Sequence, residues 1–303
     1  MGEGGKEARA IGGRVVATLG RRVVVFDGER ERVCHLSGQR AVIGDRVRFL
    51  PQGDLEGKLF EVLPRARTLV RVDFKGREQE IAANLGGLVI VASAASPAYR
   101  AGLVDRYLVG ASLAGLAPLL VVNKIDLGVS EEVERDLALR AADGLDVLRV
   151  STSTGEGLDG LRAWLSASDA DGPWALVGHS GVGKTSLIAA LLPGVDVGPI
   201  GEISEYWESG RHTTTHSRIF PCGEAEIADS PGIRTFLPNG LSSETVRDHF
   251  PGMGPLRCRY RDCLHRPGED GCAAEAAVDP EVLARYRRVL EEVQDVSLRQ
   301  RAW

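Results

Sequence analysis

A glycine-rich segment between residues 178 and 186 has the residue types and the spacing that bind phosphate groups. Its sequence fits the pattern of Gly, four residues, Gly, Lys and then Ser or Thr. Glycines leave space for backbone N–H groups to face an anion, Lys184 can reach the β- and γ-phosphates, and the Thr185 hydroxyl can bind Mg²⁺. The predicted nucleotide contacts are Gly178, His179, Ser180, Gly181, Val182, Gly183, Lys184, Thr185 and Ser186.

The segments on either side of this loop favour phosphate binding over the alternative, a glycine-rich turn without a ligand. The apolar run Trp174–Val177 predicts a buried strand, and residues 187–192 predict the first turns of a helix that Pro193 ends. Strand, loop and helix follow one another as the motif requires. We predict that Lys184 is also a catalytic residue, because its charge meets the phosphates in both the ground state and the transition state.

A second motif, Asn-Lys-Ile-Asp, follows an apolar run at residues 118–122 that predicts a strand. The Asp126 carboxylate can accept hydrogen bonds from the N1–H and 2-amino groups of guanine, a pattern that adenine does not offer. A buried carboxylate left unpaired costs about 1–3 kcal/mol, so this residue would select guanine. A helix-capping turn would also explain Asp126. The predicted base contacts are Asn123, which can also brace the phosphate loop, Lys124, Ile125 and Asp126.

Ser151, Thr152 and Ser153 end the next predicted strand, and we expect a backbone N–H there to meet guanine O6. The order of the motifs is unusual, because ordinary GTPases carry the phosphate loop before the base-reading motif, and here the base motif comes first. A sheet can be cut at one loop and rejoined at its old termini without losing its contacts, since chain termini are often close together. The sequence therefore predicts a circular permutation that preserves the site.

A polar stretch after the phosphate-loop helix has the length and character of a switch. Residues 209–216 contain three consecutive threonines, of which Thr214 is the predicted Mg²⁺ ligand and Thr215 the alternative. Asp229 is predicted to hold Mg²⁺ through water, and the Gly232 N–H to meet the γ-phosphate. Loss of these contacts after hydrolysis would release both loops. The predicted magnesium residues are Thr185, Thr214 and Asp229.

Ile233 stands directly after Gly232, where many GTPases carry a glutamine that orients the attacking water. An isoleucine side chain cannot hydrogen-bond to water, so catalysis needs another polar group. His212, in the predicted switch, is the candidate catalytic residue. The alternative is that His212 is a loop residue without a role in proton transfer.

Four residues near the C-terminal end have the types and spacing of a metal site. Three thiols and one imidazole lie within fifteen residues, separated by four, one and six positions. This donor set suits tetrahedral Zn²⁺ without an open position for catalysis, and an unrelated scatter of cysteines is the alternative. The predicted ligands are Cys258, Cys263, His265 and Cys272, whereas Cys34 and Cys222 lie in apolar runs and are predicted to be core residues.

Composition limits the classes of protein that this chain can belong to. It has 303 residues, 43% of them hydrophobic, and a net charge of −5, which argues against indiscriminate nucleic-acid binding. No apolar run approaches the roughly 20 residues of a membrane span, and no secretory signal is expected. Cysteines grouped for metal binding indicate a reducing cytosol, and hence a cytoplasmic protein.

The rest of the sequence divides into segments that would position these motifs. Short strands and turns between residues 11 and 63 predict a small closed barrel of OB type, and strands alternating with helices from residue 85 predict a parallel α/β sheet. We expect a helix over residues 279–300 to dock through Val282, Leu283, Tyr286, Leu290 and Val293. The predicted divisions are a disordered lead (1–9), an OB-like β-barrel (10–66), a basic linker (67–84), a circularly permuted GTPase domain (85–240) and a zinc-binding, helical C-terminal domain (241–303).

The barrel carries arginines that could contact RNA phosphates, although the same pattern would suit a solvated barrel face. These are Arg14, Arg21, Arg22, Arg46 and Arg48. A second basic cluster surrounds the predicted metal site and consists of Arg257, Arg259, Arg261 and Arg266.

Taken together and in this order, the motifs resemble the RsgA/YjeQ family of circularly permuted GTPases that act in small ribosomal subunit biogenesis. The resemblance covers nearly the whole chain. It implies an α/β P-loop GTPase domain between an OB-like barrel and a zinc domain, and GTP hydrolysis that the small subunit stimulates. It also implies that barrel and zinc domain bind ribosomal RNA, that hydrolysis times release, and that GTP with Mg²⁺ and one structural Zn²⁺ are bound. We expect a monomer that does not bind membranes.

The sequence departs from the family pattern in two places. Residues 206–209 stand where the family has a glycine-richer switch, and the spacing from His265 to Cys272 is one residue longer. A turn at residues 268–271 can absorb the extra residue. An RNA-binding scaffold with a regulatory, barely hydrolysing guanine-nucleotide site is the alternative function, and Ile233 keeps it open. A small-molecule kinase is disfavoured, because no acceptor pocket is recognisable and the base motif favours guanine.

Overall fold

The computed structural model describes residues 10–72, 77–194, 217–234, 236 and 241–301, and its first five strands close into a barrel. β1 pairs with both β2 and β4, and β5 joins β4 to β3, so the sheet closes on itself. Alternate side chains point inward, where valines pack around Phe49 and Leu59. The predicted barrel is confirmed. Its strands are β1 (Ile11–Leu19), β2 (Arg22–Phe26), β3 (Glu31–Leu36), β4 (Arg46–Gln52) and β5 (Glu56–Val62).

The segment predicted as a linker contains an antiparallel pair of strands, β6 (Thr68–Val72) and β7 (Glu78–Ala83). The strands were missed because residues 78–80 are charged or polar and exposed, so the sequence lacks a clear apolar alternation. The hairpin is tied to the barrel by Arg65, which donates to both carboxylate oxygens of the fully buried Asp45 at 2.6 and 2.9 Å and also pairs with Glu80.

The second half of the molecule is built on a sheet whose strands run parallel except at one edge. The strand order is β10-β9-β8-β11-β13-β12, and only β12 is antiparallel to its neighbour. Most of β8, β9 and β11 is apolar and buried, as expected for strands covered on both faces. The strands are β8 (Gly87–Ser93), β9 (Ala117–Asn123), β10 (Val147–Arg149), β11 (Trp174–Val177), β12 (Ser217–Cys222) and β13 (Ala225–Asp229).

Helices cover both faces of this sheet and bury its two apolar surfaces, as the sequence predicts. Trp174 is almost fully buried and meets Trp164 edge-on, with ring centroids 5.2 Å apart. Ser130 caps the second helix, since its hydroxyl accepts a hydrogen bond from the Val133 N–H. The helices are α1 (Ala101–Ala114), α2 (Glu131–Ala142), α3 (Leu158–Ala167), α4 (Lys184–Leu191) and the single turn α5 (Pro231–Arg234).

The barrel and the parallel sheet share hydrogen bonds, because β1 pairs antiparallel with the edge strand β12. Two ion pairs flank this junction. Arg14 donates to both carboxylate oxygens of Glu226, and Arg218 donates to Glu31 at 2.7 and 3.0 Å. The edge strand of the sheet is thereby covered, and eleven of the strands in the described residues form one continuous sheet.

The C-terminal part packs its helices against α1 through a separate apolar core. The predicted stripe of the last helix is confirmed, because all five of its apolar side chains are buried there. Charge also joins the two parts, because Arg285 of the last helix pairs with Asp105 and Asp143. The buried Arg140 donates to the same Asp105 at 2.6 Å from within the sheet-and-helix part. The helices are α6 (Ser243–His249), α7 (Ala274–Ala277) and α8 (Pro280–Arg301). None of the helices in the described ranges has the length and apolar composition of a membrane span.

Replacing Arg65 by Ala should destabilise the barrel strongly, because it leaves the fully buried carboxylate of Asp45 without its cation. Breaking a buried pair in this way costs about 3–5 kcal/mol. The matched control is Arg48→Ala, since the Arg48 pair with Glu61 spans 3.9 Å on the surface, and exposed pairs contribute about 1 kcal/mol or less. Urea unfolding, followed by circular dichroism, measures the free energy of unfolding of each variant. Equal unfolding midpoints for the two variants would contradict the stabilising role of the Arg65–Asp45 pair.

Candidate functional site

The phosphate loop connects β11 to α4 at the carboxyl end of the parallel strands. Lys184 is the first residue of α4, so the backbone N–H groups of the first turn face the loop. Its Nζ atom donates to the carbonyl oxygens of Gly178 at 2.7 Å and His179 at 3.0 Å. The ammonium group therefore lies inside the ring of backbone groups that the motif predicts.

Two glycines of this loop allow close approaches that no other residue would permit. A Cβ atom at Gly178, where φ is +147°, would lie 2.2 Å from the Val91 carbonyl oxygen. A Cβ at Gly183, where φ is +98°, would lie 2.3 Å from the Asn123 side-chain nitrogen. The glycines thus bring the loop against the neighbouring strand and against the predicted base motif.

Asn123 joins the base motif to the phosphate loop. Its side chain is fully buried, and its Nδ2 atom donates to the Val182 carbonyl oxygen at 3.0 Å. Its Oδ1 atom accepts hydrogen bonds from the backbone N–H groups of Lys124 at 2.8 Å and Thr152 at 3.2 Å. One amide therefore holds three loops together, and each loop follows a different strand of the sheet.

The other residues of the base motif lie beside this amide. The Ser151 hydroxyl donates to the Asp126 carboxylate at 2.5 Å, a contact that sequence reasoning missed, while Ser153 is exposed nearby. Lys124 has a φ of +64°, and its Nζ atom donates to the Gly181 carbonyl oxygen at 2.7 Å. Ile125 packs at the edge of the core. The base motif thus contacts the phosphate loop through Lys124 as well as through Asn123, while Asp126 is held by Ser151 of the loop after β10.

A groove of about 640 Å³ runs along the phosphate loop. Its lining brings together residues from the base motif, the loop and the segment after β13. Burial lowers the pKa of Lys184, and the nearby charge of Arg234 lowers it further. A bound phosphate would oppose that shift, because an anion favours the charged form of lysine. The lining residues are Lys124, Gly178, His179, Ser180, Gly181, Gly183, Lys184, Thr185, Ser186, Arg234 and Phe236.

The Asp-Ser-Pro-Gly segment begins at Asp229, the last residue of β13, and leads to Arg234 and Phe236, which line the same groove. Asp229 pairs with Arg234, which donates through Nε at 2.6 Å and through a second nitrogen. The Ser230 hydroxyl accepts from the Ile233 N–H at 3.0 Å, and the Ile233 side chain is buried in the apolar core. Ile233 therefore cannot contact water in the groove. Sequence reasoning missed Arg234, although its position five residues after Asp229 would have drawn attention to it.

Tyr107 is a second contact that was not predicted. Its hydroxyl donates to the Phe236 carbonyl oxygen at 2.9 Å. Burial raises the pKa of this hydroxyl, and a hydrogen bond with the backbone of Gly178 opposes the rise. Tyr107 thus connects the phosphate loop to the segment after Asp229. In the sequence, Tyr107 is one of the largely apolar residues of α1, and nothing there predicts a partner for its hydroxyl.

Three predicted residues, His212, Thr214 and the alternative Thr215, lie outside the described part of the chain. Thr185 and Ser186 are exposed at the start of α4 and border the groove. Gly232 lies in α5, directly beside the Ile81 side chain. The predicted roles of these residues towards a nucleotide or Mg²⁺ stay predictions.

The four predicted metal ligands form one cluster, in which all ligand atoms lie within 4.8 Å of one another. The His265 Nδ1 atom lies 3.5, 3.4 and 3.5 Å from the Sγ atoms of Cys258, Cys263 and Cys272. Metal–sulfur and metal–nitrogen bonds of about 2.3 and 2.0 Å would give edges of about 3.5 Å in a tetrahedron. The cluster therefore fits a tetrahedral metal ion.

The surroundings of the cluster orient its ligands. Backbone N–H groups of Ala273 and Ala274 lie 3.4 and 3.5 Å from the sulfurs of Cys258 and Cys272. Burial lowers the pKa of His265, which favours the neutral imidazole that binds metals. Burial and a hydrogen bond to Glu269 raise the pKa of Cys263, so metal binding would have to remove the proton of that thiol.

The remaining two cysteines are buried, as predicted. Burial raises the pKa of Cys34 to about 11 and also raises that of Cys222. Both are core residues, far from the reactive thiolate form at neutral pH.

Sequence comparison identifies the family of this chain. A family profile described as RsgA GTPase matches residues 62–237, which is more than half of the chain. The chain belongs to the RsgA GTPase family. It is 39% identical over 307 residues to the Small ribosomal subunit biogenesis GTPase RsgA of Azotobacter vinelandii, covering 95% of this chain and 87% of that protein. The protein of the same name from Pseudomonas aeruginosa is 38% identical over 303 residues, with the same shares.

Solved structures confirm the fold of this RsgA-family GTPase. YjeQ from Thermotoga maritima superposes with a TM-score of 0.74 at 23% identity and covers 94% of this chain and 99% of its own. YloQ, described as a circularly permuted GTPase, gives a TM-score of 0.70 at 22% identity. The match covers 97% of this chain and 98% of YloQ. The circular permutation and the α/β class that the motif order predicts are therefore correct.

Replacing Cys263 by Ser in this RsgA-family GTPase should abolish metal binding, because a hydroxyl is a hard and protonated ligand in a soft donor set. We expect elemental analysis to find about one metal ion per chain in the parent protein and none in the variant. Residues 255–275 should become sensitive to proteases, since most of this segment consists of turns and irregular structure that the cluster ties together. The matched control is Cys222→Ala, which removes a buried thiol outside the cluster and should keep the metal. A parent protein without metal would contradict the assignment.

Proposed function

We propose that this chain hydrolyses GTP on the small ribosomal subunit, acts late in the maturation of that particle and leaves it after hydrolysis. The buried Asn123 amide carries the nucleotide part of the proposal, because it joins the base-reading loop and the phosphate loop into one groove. The ribosomal part is supported by relatives named as small ribosomal subunit biogenesis GTPases, which match 95% of this chain. Such a factor would act in the cytoplasm, as a monomer on each particle.

The proposal gives separate roles to the base motif, the phosphate loop and the magnesium residues. Asp126 accepts from guanine, Asn123 meets the base edge while it braces the loop, and the backbone N–H groups of residues 178–186 surround the phosphates. Lys184 turns from the loop carbonyls to the β- and γ-phosphates. Mg²⁺, held by Thr185, Thr214 and Asp229, would neutralise charge that develops on the phosphate oxygens.

Asp126→Asn should weaken GTP binding by at least tenfold, or about 1.4 kcal/mol, because an amide cannot accept both guanine hydrogen bonds. It also disturbs the Ser151 hydroxyl that donates to this carboxylate. Equilibrium binding of fluorescent GTP and ATP analogues measures the effect. The exposed Asp159 provides the control Asp159→Asn, which should bind as the parent does. Equal affinity of the parent protein for ATP and GTP would contradict guanine recognition.

The chemical step needs a group that can orient water, since the Ile233 side chain is buried in the core. We assign this role to His212 in the switch segment. His212→Ala should leave GTP affinity nearly unchanged and lower subunit-stimulated turnover by about 10²-fold, the usual scale for one acid–base or positioning group. Lys184→Ala should reduce binding and turnover together.

Single-turnover GTP hydrolysis over a titration of purified small subunits tests the function directly. Stimulation that saturates with subunit concentration is the expected result. The absence of stimulation, with GTP still bound, would favour an RNA-binding scaffold whose nucleotide site is regulatory. A full stimulated rate in His212→Ala would move the water-positioning role to the ribosomal RNA.

Two surfaces of the chain have the chemistry to bind ribosomal RNA. On the barrel, Arg21, Arg22, Arg46 and Arg48 are exposed, whereas Arg14 pairs with Glu226 and is no longer a candidate. On the metal-cluster loop, Tyr260 is half exposed and the Arg259 guanidinium lies 5.4 Å from its ring centroid. An exposed aromatic ring beside arginines suits stacking on an unpaired base.

Tyr260→Ala should weaken binding to purified small subunits by about fivefold or more, because base stacking contributes about 1–3 kcal/mol per base. Tyr260→Phe is the matched control, since it keeps the ring and should bind normally. Co-sedimentation with a non-hydrolysable GTP analogue measures the affinity at fixed salt. Unchanged binding by the alanine variant would remove the metal-cluster loop from the RNA-binding surface.

The metal of the cluster is assigned as Zn²⁺ with a structural role. Three thiolates and one imidazole form a soft, closed donor set that leaves no position for substrate. The cluster also fixes the loop that presents Tyr260, because Cys258 and Cys263 flank it on either side.

A further inference from the structure

The pair between Arg234 and Asp229 occupies the carboxylate that a Mg²⁺ ion would need. Arg234 donates to both Asp229 oxygens, to one through Nε at 2.6 Å and to the other through a terminal nitrogen. The two side chains are only 17% and 9% exposed. A bidentate guanidinium in this position satisfies both oxygens of the carboxylate, so a divalent cation and its waters must compete with it.

Arg234 belongs to the phosphate groove as well as to this pair. It lines the groove together with Lys184 and Phe236 and is close enough to lower the pKa of Lys184. Its positive charge therefore lies where the phosphates of a nucleotide and the metal would meet. Removing it would leave the Asp229 carboxylate facing the phosphates without a cation.

We infer that Arg234 is a positioning residue that acts as an internal substitute for Mg²⁺ at Asp229. Before the metal binds, the guanidinium neutralises the carboxylate and allows the phosphates to enter the groove. Mg²⁺ must displace it, so the apparent affinity for the metal equals the intrinsic affinity multiplied by the fraction of time that the pair is open. The displaced guanidinium stays in the groove as a second cation for the phosphates.

This inference rests on the proposed role of Asp229 in magnesium binding. It goes beyond that role in two respects that can be measured. The pair sets the Mg²⁺ concentration at which nucleotide binding tightens, and it supports nucleotide binding when Mg²⁺ is absent. Neither property requires hydrolysis, and both can be read from the binding of a fluorescent GDP analogue.

The test compares the parent protein with Arg234→Gln, which keeps side-chain length and loses the charge. Binding of the fluorescent GDP is followed first in EDTA and then over a titration with Mg²⁺. The variant should bind GDP more weakly in EDTA. It should also need about fivefold less Mg²⁺ for the half-maximal effect, which corresponds to about 1 kcal/mol of competition from the ion pair. Arg234→Lys should restore most of the binding in EDTA, because a cation remains beside Asp229.

The barrel supplies a matched control. Arg32 donates to Asp27 through Nε at 2.8 Å, the two residues are again five positions apart, and their side chains are 11% and 7% exposed. Arg32→Gln should leave both GDP binding and the Mg²⁺ midpoint unchanged. A change equal to that in Arg234→Gln would show a general loss of structure and overturn the inference.

Asp229→Asn separates the inference from the assignment on which it rests. If Asp229→Asn leaves the Mg²⁺ dependence unchanged, Asp229 is not the magnesium residue and both the assignment and the inference are wrong. If Asp229→Asn raises the Mg²⁺ requirement but Arg234→Gln leaves the midpoint where it is or raises it, only the inference is wrong. In the double variant Asp229→Asn/Arg234→Gln, the second substitution should not shift the Mg²⁺ midpoint further, because the Asp229 carboxylate that pairs with Arg234 is already absent.

Discussion

The site depends on one buried amide, the side chain of Asn123. It donates to the phosphate loop at Val182 and accepts from the base motif at Lys124 and from the following loop at Thr152. These loops follow three different strands of the sheet, β9, β10 and β11, and each would otherwise be free to move by itself. Because the amide is fully buried, each lost hydrogen bond would leave an unsatisfied polar group at a cost of about 1–3 kcal/mol. The base-motif loop and the phosphate loop are therefore positioned together.

The same sheet connects the groove to the barrel. β12 begins at Ser217, directly after the segment that carries the predicted switch threonines, and its first residues pair with β1 of the barrel. Backbone hydrogen bonds and the Arg14–Glu226 pair thus attach the barrel, proposed to bind RNA, to the strand that directly follows the predicted switch in the sequence. The proposal that hydrolysis times release therefore has a physical route, since a shift at the start of β12 would act on the barrel directly.

The C-terminal part is attached by a different kind of contact. Apolar packing of α1 against α6 and α8 is combined with the buried Arg140–Asp105 pair and with Arg285, which bridges Asp105 and Asp143. Buried charges need well-placed partners, so this arrangement fixes the orientation of α8 more narrowly than apolar packing alone would. Tyr286 of that helix donates to the Leu264 carbonyl oxygen beside the metal ligand His265. The metal cluster is thereby held in register with the GTPase domain.

The sequence alone determined the barrel, the permuted sheet, the phosphate and base motifs and the four metal ligands. These features depend on residue types at short, fixed spacings, such as the glycines around Lys184 or the thiols around His265, and local chemistry leaves few other uses for them. Only the tertiary structure decided which partners distant residues would meet. It paired Arg14 with Glu226, placed the Tyr107 hydroxyl between Gly178 and Phe236, and set Arg234 on Asp229. A single arginine or tyrosine carries no periodic signal, and its partner is chosen by packing between elements far apart in the chain, so spacing could not reveal it.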